Sequence, residues 1–324
     1  MDAPRKPVTR VLAYLEEPER SAMRYERLAE QYSGVEVSLA STPEEAYPAL
    51  EDAEVLITIG NQLGDDAGAI YKQAKNLKWV QSSGTGVDNI SGHPDLPEGV
   101  TVTRVHGLHG PQISEAAFAG MLAFARHIPD LVRNQDRATW AKPHSRVLCG
   151  ATVGIFGLGA IANDLAPRCR AFGMRVVGIT GTRREVPGFD RIFTTAELEE
   201  AVAQLDYLVV LTPHTEKTHH IINAKILAAM REDAVFVNLS RGGVVDEAAL
   251  LGALNNKAIA GAALDVFEKE PLPEGNPFWS HPRVFVTPHA GGFHTGYPEL
   301  AFSAVVENRA RYLEGGVAAL HNKV

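Results

Sequence analysis

The sequence predicts an α/β protein built from two doubly wound parallel-sheet domains, one inserted into the other. Three observations carry this. Strand-like and helix-like segments alternate along nearly the whole chain, the rhythm of parallel sheets with helical crossovers. The alternation falls into two series, with a long Ala-rich apolar segment at 113–128 where the second begins. The final segment is a helix with no strand of its own, so it has to pack on an earlier part of the chain.

The elements follow in order. Residues 8–15 form a strand and 20–32 an amphipathic helix, and 35–39 is again strand-like. Thr42 caps a short helix through 49, and the apolar run 55–59 has strand length. A helix over 65–75 and a strand over 78–81 close the first series. The segment 113–128 is a buried helix. The second series then reads strand 151–156, helix 161–172, strand 175–179, helix 195–204 and strand 207–211. It continues with 224–229, strand 234–238, helix 247–254 and strands 261–264 and 283–286, and the tail helix covers 298–313. No repeat of short period and no low-complexity stretch interrupts this order.

Composition narrows the function classes. At about 150 residues per domain, 324 residues suggest two domains. Lys plus Arg is 31 against 39 Asp plus Glu, a net charge of −8, which argues against nucleic acid or an anionic membrane as partner. The 2 cysteines, Cys149 and Cys169, form neither a disulfide framework nor a metal quartet, which fits a reducing cytoplasm. No apolar run reaches the roughly 18–20 residues that span a bilayer. The charged first residues have no apolar core behind them, as a signal peptide would. The expectation is a soluble cytoplasmic protein.

The strongest local signal stands at the start of the second series. Strand 151–156 runs into Gly157-Leu158-Gly159-Ala160-Ile161-Ala162, a G-x-G-x-x-A sequence that opens a helix. Gly157 permits a tight turn. Gly159 lacks a Cβ, so a pyrophosphate can approach backbone N–H groups at the helix N-terminus. Ala162 is small enough for close helix–strand packing. Gly157, Gly159, Ala160 and Ile161 are therefore candidate contacts to a dinucleotide.

The next strand end selects the dinucleotide. NAD-binding folds place Asp or Glu there for the ribose hydroxyls. This chain instead has Thr180-Gly181-Thr182-Arg183-Arg184. A 2′-phosphate suits arginines and is repelled by a carboxylate. Thr180, Thr182, Arg183 and Arg184 are thus candidate contacts to NADP(H), with NAD(H) as the alternative cofactor.

Three further segments carry chemistry: Asn238-Leu239-Ser240-Arg241-Gly242-Gly243, Leu264-Asp265-Val266-Phe267-Glu268-Lys269-Glu270-Pro271 and Thr287-Pro288-His289. Together with the glycine turn, this ordered set resembles the D-isomer-specific 2-hydroxyacid dehydrogenase family over about residues 78–305. The resemblance implies a Rossmann cofactor domain, residues 107–292, inserted into a flavodoxin-like substrate domain of 1–106 and 293–324, in a homodimer. It implies that Arg241 binds the substrate, that Glu270 and not Glu268 is the catalytic glutamate, and that His289 is the catalytic histidine. Thr85-Gly86-Val87-Asp88 resembles the loop whose amides hold the substrate carboxylate. Pro213 and Thr215 fall near the nicotinamide end, and Asp265 among the cofactor contacts. Gly107-Leu108-His109-Gly110 looks most like glyoxylate/hydroxypyruvate reductases, with His109 at the substrate. Formate-type chemistry is disfavoured, because that branch resembles Gln at position 270.

These residue types suit reduction of a 2-oxo acid to a D-2-hydroxy acid. A guanidinium is always charged and bridges carboxylate and carbonyl oxygens with its fork. An imidazole transfers protons near neutral pH, and a neighbouring carboxylate fixes its tautomer and favours its charged form. A nicotinamide supplies hydride. Two other readings stay open: an NAD-linked dehydrogenase of a bulkier D-2-hydroxy acid, and a dinucleotide-sensing scaffold resembling the family's corepressors. Among the remaining candidates, His219 and His220 read as a solvated loop. Trp140 reads as lining the substrate pocket or as packing. The glycosylation pattern at Asn238 ends a buried strand and is discounted.

Overall fold

The computed structural model describes residues 8–15, 25, 34–182 and 185–324. The chain divides into two compact units, residues 1–108 with 295–324, and 109–294.

The first unit holds a five-stranded parallel sheet in the order β2-β1-β3-β4-β5. Its strands are β1 Thr9–Tyr14, β2 Val35–Ala40, β3 Val55–Thr58, β4 Trp79–Ser82 and β5 Thr101–Arg104. The order is that of a flavodoxin-like doubly wound sheet. Alternate side chains fill opposite faces, as the two-residue period of a strand demands. Leu12, Tyr14, Leu56 and Val80 pack with the helices Pro43–Leu50 and Ala67–Gln73. Val11, Ala13, Ile57 and Trp79 pack with Val305 and Tyr312 of the C-terminal helix Tyr297–Gly315. That helix has no strand of its own and covers the sheet from the far end of the chain.

The second unit holds a seven-stranded parallel sheet in the order β12-β11-β10-β9-β6-β7-β8. Its strands are β6 Thr152–Phe156, β7 Arg175–Thr180, β8 Arg191–Thr194, β9 Tyr207–Val210, β10 Val235–Asn238, β11 Gly261–Leu264 and β12 Val284–Val286. The chain leaves β6 toward β7 and β8, then returns to β9 on the other side of β6. Such a reversal opens a crevice at the carboxyl ends of the strands, where ligands of open α/β sheets bind. Val153, Ile155, Val209 and Val237 face the helices Gly110–Ala125 and Ala160–Ala171. Phe156, Leu208, Val210 and Phe236 face the opposite helical layer, including Glu247–Asn255. Each buried side chain of this size stabilises the fold by about 1.5–3 kcal/mol over exposure.

Several elements differ from the sequence reading. The helix expected at 113–128 runs Gly110–Ala125, because Pro111 suits its first turn and His127, at φ 53, breaks its end. A separate helix, Ile128–Asp136, follows. The helix expected at 65–75 is a short helix Gly60–Leu63, a 3-10 turn and then Ala67–Gln73. The helix expected at 195–204 is α-helical only over Leu198–Val202. It is preceded by a 3-10 turn, where Thr194 and Glu197 form a reciprocal capping box. Strands β5 and β8 were not anticipated; both are short and lie at sheet edges. The helix expected at 20–32 lies outside the described residues apart from Tyr25.

Candidate active site

The carboxyl ends of β6, β10, β11 and β12 deliver the chemistry-bearing residues of the second unit. Beyond β6, Gly157 has φ 106, and a Cβ there would lie 2.6 Å from Thr212 N, so the turn admits only glycine. Gly159 precedes the helix Ala160–Ala171, and a Cβ on it would meet no protein atom within 4 Å. The space in front of this helix N-terminus is thus open, while Ala162 is fully buried against the sheet. An open approach to unpaired backbone N–H groups fits the pyrophosphate of a dinucleotide. Ala160 is exposed and Ile161 half-buried at that opening.

Thr180 ends β7, half-buried, and Thr182 is exposed two residues on. Arg183 and Arg184, expected to meet a 2′-phosphate, lie outside the described residues. Pro213 and Thr215 are exposed in the turn after β9, where Thr218 Oγ1 donates to Pro213 O at 2.6 Å and Thr215 N donates to Thr218 Oγ1 at 2.8 Å. When bound, a nicotinamide dinucleotide supplies hydride chemistry, and Gly157, Gly159 and Ala160 would hold its phosphates.

Arg241 stands three residues beyond the end of β10. Asn238, the last residue of that strand, is 1% exposed and shapes the turn. Its Nδ2 donates to Arg241 O at 3.1 Å and its Oδ1 accepts from Ser240 N at 3.1 Å and Ser240 Oγ at 2.9 Å. A buried amide so committed is no glycan acceptor. Arg241 donates from a terminal guanidinium nitrogen to Ser240 O at 2.6 Å. A Cβ on Gly242 would lie 1.8 Å from the Phe267 carbonyl carbon, so the Arg241 turn packs backbone-to-backbone on the segment that carries Glu270.

Beyond β11, Phe267 N donates to Glu270 Oε1 at 2.9 Å. Glu270 Oε2 meets His289 Nδ1 at 2.6 Å, across from β12. The two side chains are 28% and 32% exposed, open enough for a ligand yet partly withdrawn from water. Burial alone would raise the Glu270 carboxyl. The hydrogen bonds from His289 and Phe267 N, with the charges of His289 and Arg241, outweigh it and hold the group below the usual carboxylate range. Glu270 is thus an anion at neutral pH. Burial, then the charge of Arg241 and then that of His294, push the His109 imidazole below its ordinary value, which favours its neutral form. Arg241, Glu270, His289 and His109 therefore share one electrostatic neighbourhood.

Asp265 is 2% exposed, and the three side-chain contacts shown for it run to residues 287–291. Thr85, Gly86 and Val87 lie in the first unit, half-buried, in a turn shaped by Ser82 Oγ, which donates to Gly86 O at 2.7 Å. His219 and His220 lie in the exposed loop expected of them, and there they have partners. His214 Nε2 lies 3.1 Å from His219 Nδ1, the rings of His219 and His220 stack at 3.9 Å, and His220 Nε2 meets Glu268 Oε1 at 2.8 Å. Glu268 thus engages His220 while Glu270 engages His289. Trp140 is 91% exposed and does not pack within the described chain. Among the described residues no cluster of His, Cys, Asp and Glu fits a metal ion, and no helix is long and apolar enough to cross a membrane.

Comparison with known proteins agrees with this geometry. The family model described as D-isomer specific 2-hydroxyacid dehydrogenase, NAD binding domain, matches residues 118–291. The chain is 33% identical over 296 residues to a D-3-phosphoglycerate dehydrogenase of Methanocaldococcus jannaschii, covering 90% of this chain but only 56% of that longer protein. It is 31% identical over 277 residues to a glyoxylate reductase of Pyrococcus horikoshii, covering 83% of this chain and 82% of the relative. Among solved structures, it superposes with a TM-score of 0.83 on an NADPH-dependent glyoxylate/hydroxypyruvate reductase from Sinorhizobium meliloti in complex with NADP and sulfate, at 29% identity and 98% coverage of both chains.

Proposed function

The chain belongs to the D-isomer specific 2-hydroxyacid dehydrogenase family, and from that premise we propose that it reduces a small 2-oxo acid of the glyoxylate or hydroxypyruvate type to the D-2-hydroxy acid, with NADPH as the preferred cofactor. The observation that carries this reading is the 2.6 Å contact between His289 and Glu270, in the electrostatic neighbourhood of Arg241.

In this reading Arg241 binds the substrate carboxylate and draws electron density from the 2-oxo carbonyl, which its fixed positive charge suits. His289 gives a proton to the carbonyl oxygen as carbon accepts hydride. With Nδ1 held by Glu270, Nε2 is the atom that transfers the proton. Glu270 engages Nδ1 and so keeps the ring in one orientation. His109, favoured as neutral, offers a hydrogen bond to the substrate without competing with Arg241 for the carboxylate.

The preference for NADPH is supported by Thr180 at the end of β7, where an acid would repel a 2′-phosphate. A homodimer is supported by the helix Ile128–Asp136 and the segment after it, which leave Ile128 46%, Val132 51% and Trp140 91% exposed. Apolar exposure concentrated in one segment marks an interaction site, and a second copy of the chain is the simplest occupant. The free Cys149 and Cys169 suit a reducing cytoplasm.

A second reading has its own support. Two relatives are D-3-phosphoglycerate dehydrogenases, which favours a phosphorylated, bulkier acid. Steady-state rates for glyoxylate, hydroxypyruvate, 3-phosphohydroxypyruvate and acetone, each with NADPH and NADH, test both. Highest kcat/KM for glyoxylate or hydroxypyruvate is expected. Dominant turnover of the phosphorylated acid favours the second reading, and turnover of acetone comparable with glyoxylate overturns both.

A further inference from the structure

Past the carboxyl ends of β9, β10 and β11, three segments of the second unit meet: 213–222, 241–247 and 265–270. Backbone contacts join the first two. His220 N donates to Gly243 O at 2.9 Å, Ile222 N to Val244 O at 3.1 Å and Asp246 N to Ile222 O at 3.0 Å. Side chains complete the arrangement. A Cβ on Gly243 would lie 2.8 Å from both Cε1 and Nε2 of His214, so this imidazole rests against the backbone two residues past Arg241. Its Nε2 lies 3.1 Å from His219 Nδ1, the His219 and His220 rings stack at 3.9 Å, and His220 Nε2 meets Glu268 Oε1 at 2.8 Å. Glu268 N in turn donates to Glu247 Oε1 at 2.8 Å. His220 has φ 48, a left-handed conformation that L side chains adopt when their surroundings hold it.

None of these rings takes part in the reaction as read above, yet the chain of contacts starts and returns on the turn that presents Arg241. We propose that His214 is a positioning residue for that arginine: its ring, held by His219 and through His220 by Glu268, backs Gly243 and so sets the reach of Arg241 to the substrate carboxylate. Gly243 is the complementary half, because a residue without Cβ leaves room for the ring. The proposal rests on the reading of Arg241 as the carboxylate anchor. It assigns the three imidazoles to substrate binding and leaves proton transfer to His289.

Gly243→Ala tests the contact without removing a chemical group. Gly243 is not left-handed, so Ala suits its backbone, and the added methyl displaces the His214 ring. His214 is exposed, so His214→Ala leaves the fold intact. A group misplaced by about 1 Å costs about 10²-fold in rate. This turn keeps its backbone contacts and shifts less, so about tenfold is expected. Kinetics are read at saturating NADPH with the best substrate among glyoxylate, hydroxypyruvate and 3-phosphohydroxypyruvate. Gly243→Ala and His214→Ala should each raise its KM about tenfold, with kcat and NADPH Kd within about threefold of wild type. In the double variant the methyl fills the space the ring left, so KM should be no higher than in His214→Ala alone. Losses that multiply in the double variant overturn the proposal, as does a weakened NADPH Kd with unchanged substrate KM. His220→Asn keeps a residue that tolerates the left-handed backbone and removes the stacked ring. Its KM should also rise, and a wild-type value overturns the backing of His214 by His220 and Glu268. Arg241→Ala separates the two levels. If it raises KM while His214→Ala and Gly243→Ala do not, the positioning role alone is overturned. If it leaves KM unchanged, the reading of Arg241 fails and the proposal fails with it.

Discussion

Replacing Glu270 with Gln should move the alkaline limb of the reductase activity to lower pH. The carboxylate touches His289 Nδ1 at 2.6 Å and is held below its usual range, since burial is outweighed by the hydrogen bonds from His289 and Phe267 N and by the nearby positive charges. A hydrogen bond between charged groups contributes about 1.5–3 kcal/mol, and exposure of nearly a third on each side pulls this to the lower end. At about 1.4 kcal/mol per decade, losing this contact should also lower kcat/KM about tenfold. The sign follows from the chemistry. Reduction needs a protonated donor, so activity falls as pH rises through its titration. Gln can still accept from Phe267 N, but it has no charge and turns an N–H toward Nδ1, which favours the neutral ring. The measurement is kcat/KM for the best 2-oxo acid between pH 5 and 10, at saturating NADPH, for wild type and Glu270→Gln. An alkaline limb that stays in place would refute the pairing as the source of the proton. Because its value is depressed on folding, Glu270 also stabilises the folded chain above the ordinary carboxylate range, a contribution lost as pH falls through the depressed value.

The two glycines of the phosphate turn should fail differently. Gly157→Ala, at φ 106 and with Thr212 N 2.6 Å from the added Cβ, should lower Tm by several degrees, roughly 1–3 kcal/mol of strain. Gly159→Val meets open space in the protein, so Tm should hold within about 2 °C while dinucleotide Kd rises more than about tenfold. A Gly159→Val protein that binds the dinucleotide normally would dissociate this turn from the cofactor. For cofactor choice, wild type should show kcat/KM about tenfold higher with NADPH than with NADH, and Thr180→Asp with both Arg183 and Arg184 made Ser should reverse it. A wild type that favours NADH would show that the arginines only face solvent. Val132→Glu places a charge on the exposed apolar face and should turn a dimer into a monomer by light scattering; a wild type already monomeric at micromolar concentration refutes that interface.

What was legible in the sequence was local. The turn Gly157–Ala162 is a contiguous strand–turn–helix junction, so its backbone demands are written in adjacent residues. The strong strands, such as Val153–Phe156 and Val235–Val237, are short apolar runs of strand length. Arg241, Glu270 and His289 could be singled out because each lies past a strand end within a distinctive run of neighbours. Strand β8, Arg191–Thr194, was not, since an edge strand needs an apolar stripe on one face at most, and its short sequence lacks a strong period. The helix ends at 110 and 125 were set by Pro111 and by the left-handed His127, not by hydrophobic periodicity.

Tertiary structure alone decided which residues serve one another. Asp265 meets the 287–291 turn across 22 to 26 positions, and His220 meets Glu268 across 48. Such pairings depend on β10, β11 and β12 lying side by side in register, which no local pattern encodes. Asn238 shows the difference most clearly. By sequence it completes a glycosylation pattern, but at the end of a buried strand its amide holds the arginine turn. Periodicity determines which residues form strands, because burial of alternate side chains acts over a few neighbours. The order of the strands, and with it the contacts of His289 with Glu270 and of Asp265 with the 287–291 turn, follows from packing the whole sheet between its two layers of helices.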